Sequence, residues 1–309
     1  MKRVVSVSLG SSSRDKQSEV ELLGERYLLE RMGTDGSMER AVEKIREIDG
    51  EVEAIGLGGI DLYLVAGERR WVIRDALKLA NAAEKTPVVD GSGLKDTLER
   101  QTVQTLHDEG QLVPAGKAPA DVRVLVVSAA DRFGMAETFV SLGYHCTFGD
   151  LIYALRIPIP LRRLWLVELA ATLACPILVR LPFRILYPTG GRQETSVRGG
   201  SKYFADADII GGDFHYIRRY LPESGDLLAG KTIITNTTTE EDVDLLGSLK
   251  LHRLITTTPR IGGRSFGTNV MEALLVALSG RLPEELQRAD YADLLVEIGW
   301  RPNVQVLNE

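Results

Sequence analysis

The sequence predicts two α/β domains, the second built on a doubly wound parallel sheet. Three observations carry the prediction. Asp121–Asp150 reads as strand, tight turn, helix and strand, and its Val122–Val127 run suits burial on both faces. Further short apolar strands at Ala207–Ile210, Thr232–Thr235 and Arg253–Thr257 alternate with helical stretches. Glu109–Asp121 mixes glycine, proline, alanine and lysine with little periodicity, as a linker does. The predicted boundaries are an N-terminal domain over 1–110 and a second over 121–280 carrying a helical insertion at 151–188. A tail helix and extension occupy 281–309.

Each element has a local reason. Arg3–Leu9 is an apolar strand followed by the loop Gly10–Ser13, and Glu19–Leu23 and Arg26–Arg31 read as strands around Gly24. Ser37 N-caps a helix over 38–48, whose Met38, Ala41, Val42, Ile45 and Ile48 recur at helical spacing. Ala54–Leu57 is a strand running into Gly58-Gly59-Ile60-Asp61. Arg74–Glu84 reads as a helix, Pro87–Val89 as a strand, and Asp90–Asp96 as a glycine-bearing turn into a helix over about 94–108. In the second domain a helix over about 132–142 is stopped by Gly143, and Tyr144–Phe148 is the next strand. Thr239 caps the helix EEDVDLL, and a last helix over 268–278 packs back toward the first domain.

Composition narrows the function. The chain has 309 residues, 44% of them apolar, enough for two cores. A net charge of −6 argues against a surface built for nucleic acid. Two cysteines, Cys146 and Cys175, support no disulfide framework or zinc site, and no metal site is predicted. The N-terminus lacks the apolar core of a signal peptide and no run reaches transmembrane length, so a cytoplasmic protein is expected.

The candidate site residues cluster where strands end. Asp150 follows Ala129 by 21 positions, the place of an acid that hydrogen-bonds an adenosine ribose. The cofactor-binding candidates are Ser128, Ala129, Asp131, Arg132, Phe133, Gly134, Asp150, Asn236, Thr237 and Thr257, which implies NAD rather than NADP because a carboxylate repels a 2′-phosphate. Laid on G-x-G-x-x-G, the turn gives Ala129, Asp131 and Gly134. Asp131 therefore either N-caps the helix or sets a negative side chain where a pyrophosphate would approach. Lys95, with Asp61 as orienting partner, and His215 are the catalytic candidates for proton transfer. Ser92, Asp96, Asp213 and Asn269 are the substrate-binding candidates, and His107 and His252 read as surface residues.

Leu151–Tyr187 stands apart: five arginines face one acid, Glu168, among prolines and apolar residues. It reads either as a helical hairpin forming a dimer interface or cradling a sheet edge, or as a lid, groove or membrane-surface contact. A homo-oligomer is expected.

Several segments together resemble bacterial quinate 5-dehydrogenases: VSVSLGSS, GGIDLYL, VVDGSGLKDTLER, LVVSAADRFGMAE, GGDFHYIRRY, IITNTTTEEDV and TTTPRIGGRSFGTNVMEALLVAL. The resemblance implies a two-domain, Rossmann-like dehydrogenase in which Lys95, with Asp61 or Asp96, stands for the lysine–aspartate pair of the shikimate/quinate family; the family's GAGG-type turn is here SAAD. Thr258-Pro259-Arg260-Ile261-Gly262-Gly263 is also similar to the TPHIGG stretch of D-2-hydroxyacid dehydrogenases, with Arg260 in place of histidine. The resulting expectation is an NAD(P)-dependent oxidoreductase acting on a polar hydroxy or oxo compound of quinate or shikimate type. The alternative is a non-redox small-molecule-binding protein on the same frame, with a membrane- or lipid-contacting insertion.

Overall fold

The computed structural model describes residues 1–67, 69–182, 201–221, 225–258, 260–261 and 264–308. In chain order the first strands and helix are β1 (Lys2–Ser8), β2 (Lys16–Leu22), β3 (Glu25–Gly33) and α1 (Met38–Ile48). There follow β4 (Ala54–Gly58), β5 (Tyr63–Ala66), β6 (Arg69–Val72), α2 (Leu77–Ala80), β7 (Val88–Val89) and α3 (Ser92–Asp108). β8 (Arg123–Val126), α4 (Phe133–Ser141), β9 (His145–Phe148) and α5 (Leu164–Leu178) lead to α6 (Ser201–Asp206), β10 (Ile209–Gly211) and α7 (Phe214–Arg219). The last elements are β11 (Thr232–Thr235), α8 (Glu240–Ser248), β12 (Arg253–Thr256), β13 (Arg260–Ile261), β14 (Arg264–Ser265), α9 (Thr268–Ser279), α10 (Arg288–Glu297) and β15 (Asn303–Val306).

Two mainly parallel sheets organise this mixed α/β fold. The first has strand order β2-β3-β1-β4-β7, with only β2 antiparallel to its neighbour. β1 is buried on both faces from Val4 to Ser8, as a covered parallel strand is, with the small Ser6 and Ser8 between its valines. On one face Ala41, Ile45 and Ile48 of α1 pack with Val5, Val7, Ile55 and Leu57. On the other, Met271, Leu274 and Leu275 of α9 pack with Val4, Leu29 and Ala54. Gly56 makes that second contact close: a Cβ there would lie 2.6 Å from the Asn269 carbonyl oxygen.

The second sheet has order β15-β12-β11-β10-β8-β9, with only β15 antiparallel. Val103 and Leu106 of α3 and Met135 and Phe139 of α4 cover the face carrying Val124, Val126, Ile209 and Ile234. Phe204, Phe214, Ile217 and Leu246, from α6, α7 and α8, cover Leu125, Ile210, Ile233 and Leu254 on the opposite face. The chain crosses between the sheets before β8, returns for α9, and crosses again to place β15.

Several sequence expectations change. The helix read over Arg74–Glu84 shrinks to α2, flanked by turns. Tyr63–Val72 forms the hairpin β5–β6, with Tyr63 opposite Val72. The predicted helical hairpin over Leu151–Tyr187 is instead one wide helical turn at Asp150–Ala154, an extended strap and the single helix α5; 183–187 lie outside the described residues. His107 is half-buried with Nδ1 2.8 Å from the Tyr144 hydroxyl, and His252 is half-buried with Nδ1 2.6 Å from the Asn308 carbonyl oxygen, so neither is a plain surface residue.

Candidate functional site

Because β8 to β12 run parallel, their carboxyl ends collect along one edge. That edge carries Ser128–Ala130, Gly149–Asp150, Gly212–Asp213, Asn236–Thr237 and Thr257–Thr258, and open α/β sheets take their ligands at such edges. The first turns of α3 face it. Between them lies a cleft lined by Tyr63 and Val65 of β5, Ser92, Lys95, Asp96 and Glu99 of α3, and Asp131, Phe133 and Gly134 at the start of α4. The helices approach closely because Gly134 has no side chain: a Cβ there would lie 2.8 Å from the Asp96 carbonyl oxygen.

An ionic network centred on Arg132 fills the floor. Its guanidinium reaches Glu99 Oε1 at 2.5 Å, Asp213 Oδ2 at 2.7 Å and Asp131 Oδ2 at 3.1 Å. Lys95 Nζ sits 2.7 Å from Asp131 Oδ1. Burial opposes charge on Lys95, but Asp131 outweighs it, with help from Asp61 and Glu99, and holds the ammonium above the ordinary lysine value. That is the reverse of the lowered pKa a proton relay needs. Burial likewise opposes the Asp131 charge, yet Lys95 and Arg132 together bring its carboxyl down to about 2. Asp131 does not cap α4 either: Arg132 holds the cap position and no side chain closes it. Glu99 responds most to burial, which lifts it to about 7 against the pull of Arg132 and Lys95. Its Oε2 is buried and has no protein partner.

The turn after β8 is closed by the chain itself. Ala129 N–H donates to Asp150 Oδ2 at 3.1 Å and Ala130 N–H to Asp150 Oδ1 at 2.8 Å. Both carboxylate oxygens are therefore committed to the amides of this turn. Burial raises Asp150 to about 6, against the pull of those two amides. Ser128 is buried, with its Oγ unpartnered.

The remaining candidates are spread over several places. Asp213 N-caps α7 through His215 N–H and also accepts from Asn236 Nδ2 at 3.0 Å, so Asp213 and Asn236 belong to the Arg132 network. Thr237 and Thr258 share a hydroxyl contact of 2.7 Å, and the Thr257 carbonyl accepts from Trp300 Nε1. Ser92 Oγ donates to Asp90 Oδ1 at 2.6 Å beside the cleft, and Asp96 is paired with Arg100 and Arg288. His215 is exposed on α7. Asn269 lies elsewhere, against the first sheet, where its Nδ2 donates to Ser6 Oγ at 2.8 Å. Pro259, Gly262 and Gly263 of the glycine-rich stretch lie outside the described residues.

Sequence reading missed Glu99 and Tyr63. Glu99 stands four residues after Lys95, hence on the same helix face, and that spacing was its available signal.

A family model described as a domain of unknown function (DUF8754) matches residues 93–307, and one described as DUF8753 matches residues 3–90. The chain belongs to the DUF8754 family. No curated protein matches it. Solved structures similar to this DUF8754 chain include a sugar ABC transport system substrate-binding protein from Bordetella parapertussis 12822, at 14% identity over 93% of this chain and 81% of that one, TM-score 0.39. A galactofuranose binding protein has 12% identity over 99% and 95%, TM-score 0.39. A putative malic enzyme (malate oxidoreductase) has 12% identity over 96% and 84%, TM-score 0.38. Such scores carry no functional argument.

These findings correct the expected resemblance to quinate 5-dehydrogenases, and with it the NAD(P)-dependent oxidoreductase reading: the families that match the chain are those two domains of unknown function. The physical reason lies in the turn, whose amides are occupied by Asp150, and in Lys95, whose charge is pinned by Asp131.

Proposed function

We propose that this DUF8754 protein is a non-redox small-molecule-binding protein on a doubly wound, Rossmann-like frame, and that its cleft takes an uncharged, hydroxyl-rich molecule. The observation that carries this reading is Glu99. One of its oxygens is committed to Arg132, and the other is buried and unpartnered at the wall of the cleft. A buried acceptor left unmade costs about 1–3 kcal/mol, and a ligand hydroxyl donating to it recovers that cost. Lys95 and Arg132 are already matched by Asp131, Glu99 and Asp213, so neither is left as a surplus cation for a phosphate or carboxylate ligand. Tyr63 and Phe133 add ring surface for the C–H faces of such a molecule.

Calorimetric titration with a panel of neutral polyols and sugars, alongside their phosphates, tests the reading. Saturable binding of a neutral member is expected, tightening as pH rises through about 7 where Glu99 loses its proton. Glu99→Gln is expected to weaken that binding about tenfold, the usual worth of one hydrogen bond to a charged group. Binding of the phosphates alone, or an affinity indifferent to both pH and Glu99→Gln, overturns it.

A further inference from the structure

We propose that the outer face of α5 is a docking surface for an anionic lipid membrane, with the helix lying in the plane of the headgroups. α5 carries two opposed stripes. Val167, Ala171, Cys175 and, just past the helix end, Val179 recur every fourth residue and are buried. Ala171 and Cys175 pack with Ala66 of β5 and Phe133 of α4, and Val179 joins the first-sheet core. Two positions out of step, Trp165, Leu169, Leu173 and Ile177 also recur every fourth residue, and they are 48–68% exposed. A helix whose inner stripe is satisfied by the protein has no folding reason for a second apolar stripe facing water. The strap leading into α5 adds exposed Leu155, Ile157 and Ile159.

Charge identifies the occupant. Arg162 and Arg163 precede the helix, Arg180 follows it, and Arg156 lies in the strap. The described residues 151–182 hold four arginines against one glutamate, a local net charge of +3 in a chain whose total is −6. Glu168, the acid of α5, points toward the hairpin: a Cβ on Gly67 would lie 3.1 Å from its Oε1. The outer stripe is thus apolar, flanked by cations, with a tryptophan at one end, which is the pattern of helices that lie in a membrane interface. A second copy is a poor occupant. Pairing the stripe with itself would set arginines against arginines at both ends of the contact. Spanning is ruled out as the mode: no helix among the described residues is long and apolar enough to cross a membrane, and a helix of this length reaches about 22 Å against a hydrocarbon core of about 30 Å.

The proposal is independent of the ligand of the cleft. It still places that cleft near lipid, since Phe133 lines the cleft and touches the inner stripe.

Vesicle flotation of the full chain tests it, comparing phosphatidylcholine vesicles with the same vesicles carrying about 30% phosphatidylglycerol, since anionic surfaces attract basic segments. Co-flotation with the anionic vesicles alone is expected, reduced by high salt, with a blue shift of Trp165 fluorescence that Trp165→Phe removes. Leu173→Glu and the pair Arg162→Glu and Arg163→Glu are each expected to cut bound protein about tenfold or more, through lost burial in one case and reversed attraction in the other. All of these positions are solvent-facing, so unchanged thermal unfolding of the variants is the folding control. Absence of co-flotation overturns the proposal. So does equal flotation of the variants, or a wild-type dimer in solution that Leu173→Glu converts to monomer without any vesicle binding.

Discussion

Arg132 shows at the scale of one residue how the two halves of the chain are joined. It gathers Glu99 from α3, Asp131 from its own turn and Asp213 from the end of β10. Replacing it by alanine strands these carboxylates, of which Glu99 is buried. Removing one partner of a buried pair costs about 3–5 kcal/mol, so Arg132→Ala is expected to lower the urea midpoint by that equivalent. Adding Glu99→Gln is expected to restore part of the loss, because one stranded charge disappears; a double variant no more stable than the single one contradicts this account. At Asp150 the expectation is smaller. Asp150→Ala removes the acceptor for two turn amides and is expected to cost about 0.5–2 kcal/mol in the same measurement, as loss of a cap does. The position of Asp150 was legible from its distance to Ala129, but not the direction of its side chain. Likewise Lys95 stood out beside a glycine-led helix start, while its partner Asp131 lies 36 residues away on another element, and no local spacing connects them.

Secondary elements were legible where hydrophobic period and caps agree. α1 follows its Ser37 cap, with Ser37 Oγ accepting from Arg40 N–H, and α8 follows its Thr239 capping box. The apolar runs of β1, β8 and β11 also read directly. The hairpin β5–β6 did not, since Tyr63 to Val72 mixes arginines with apolar residues and its Leu64, Ala66 and Trp71 pack with α5 and Phe133, distant in the chain. β15 was missed because it is short, antiparallel and placed at the sheet edge by pairing with β12, a non-local choice. The glycines of two helices give a paired prediction at this scale. Gly134→Ala forces α3 and α4 apart and is expected to destabilise by about 1–3 kcal/mol, the usual cost of overpacking. Gly247→Ala in α8 meets nothing within 4 Å and is expected to stabilise by about 0.5–1 kcal/mol through helix propensity. Matched urea titrations of both variants check the opposite signs.

The whole molecule carries a characteristic pH dependence. Burial raises three carboxyls, Asp150 to about 6, Glu99 to about 7 and Glu272 to about 8, the last also under the influence of Asp90. Each keeps its proton to higher pH when folded than when unfolded. Their contribution is present in full below the ordinary carboxylate range and is lost as pH rises through these folded values. Asp131 and Asp49 are lowered to about 2, Asp131 by Lys95 and Arg132 against burial, Asp49 first by the Glu84 amide. Their contribution is lost as pH falls below the ordinary range. Stability is therefore expected to peak near pH 4, in the ordinary carboxylate range, and decline toward pH 8. Unfolding midpoints measured across that range check the peak, and Glu272→Gln is expected to flatten the upper part of the decline. Two layered α/β halves were legible at this scale. The return of α9 to the first sheet was foreseen only as a direction, because the close fit of Asn269 against Gly56 is a property of two distant segments. Net charge also concealed a strongly uneven distribution, with the basic segment around α5 offset by an acidic remainder.

The closed turn after β8 has a consequence for how the molecule meets its surroundings. A group held in the same fold as its partners, here 21 and 20 residues along the chain, competes at an effective concentration of about millimolar or above. With the Asp150 carboxylate seated on the Ala129 and Ala130 amides, the turn is in effect saturated by an internal competitor before any solute arrives. Fluctuating levels of free phosphate or nucleotide then have little purchase on this edge of the sheet. On the proposed function, recognition falls instead to the α3 wall, where the buried Glu99 Oε2 has no protein partner.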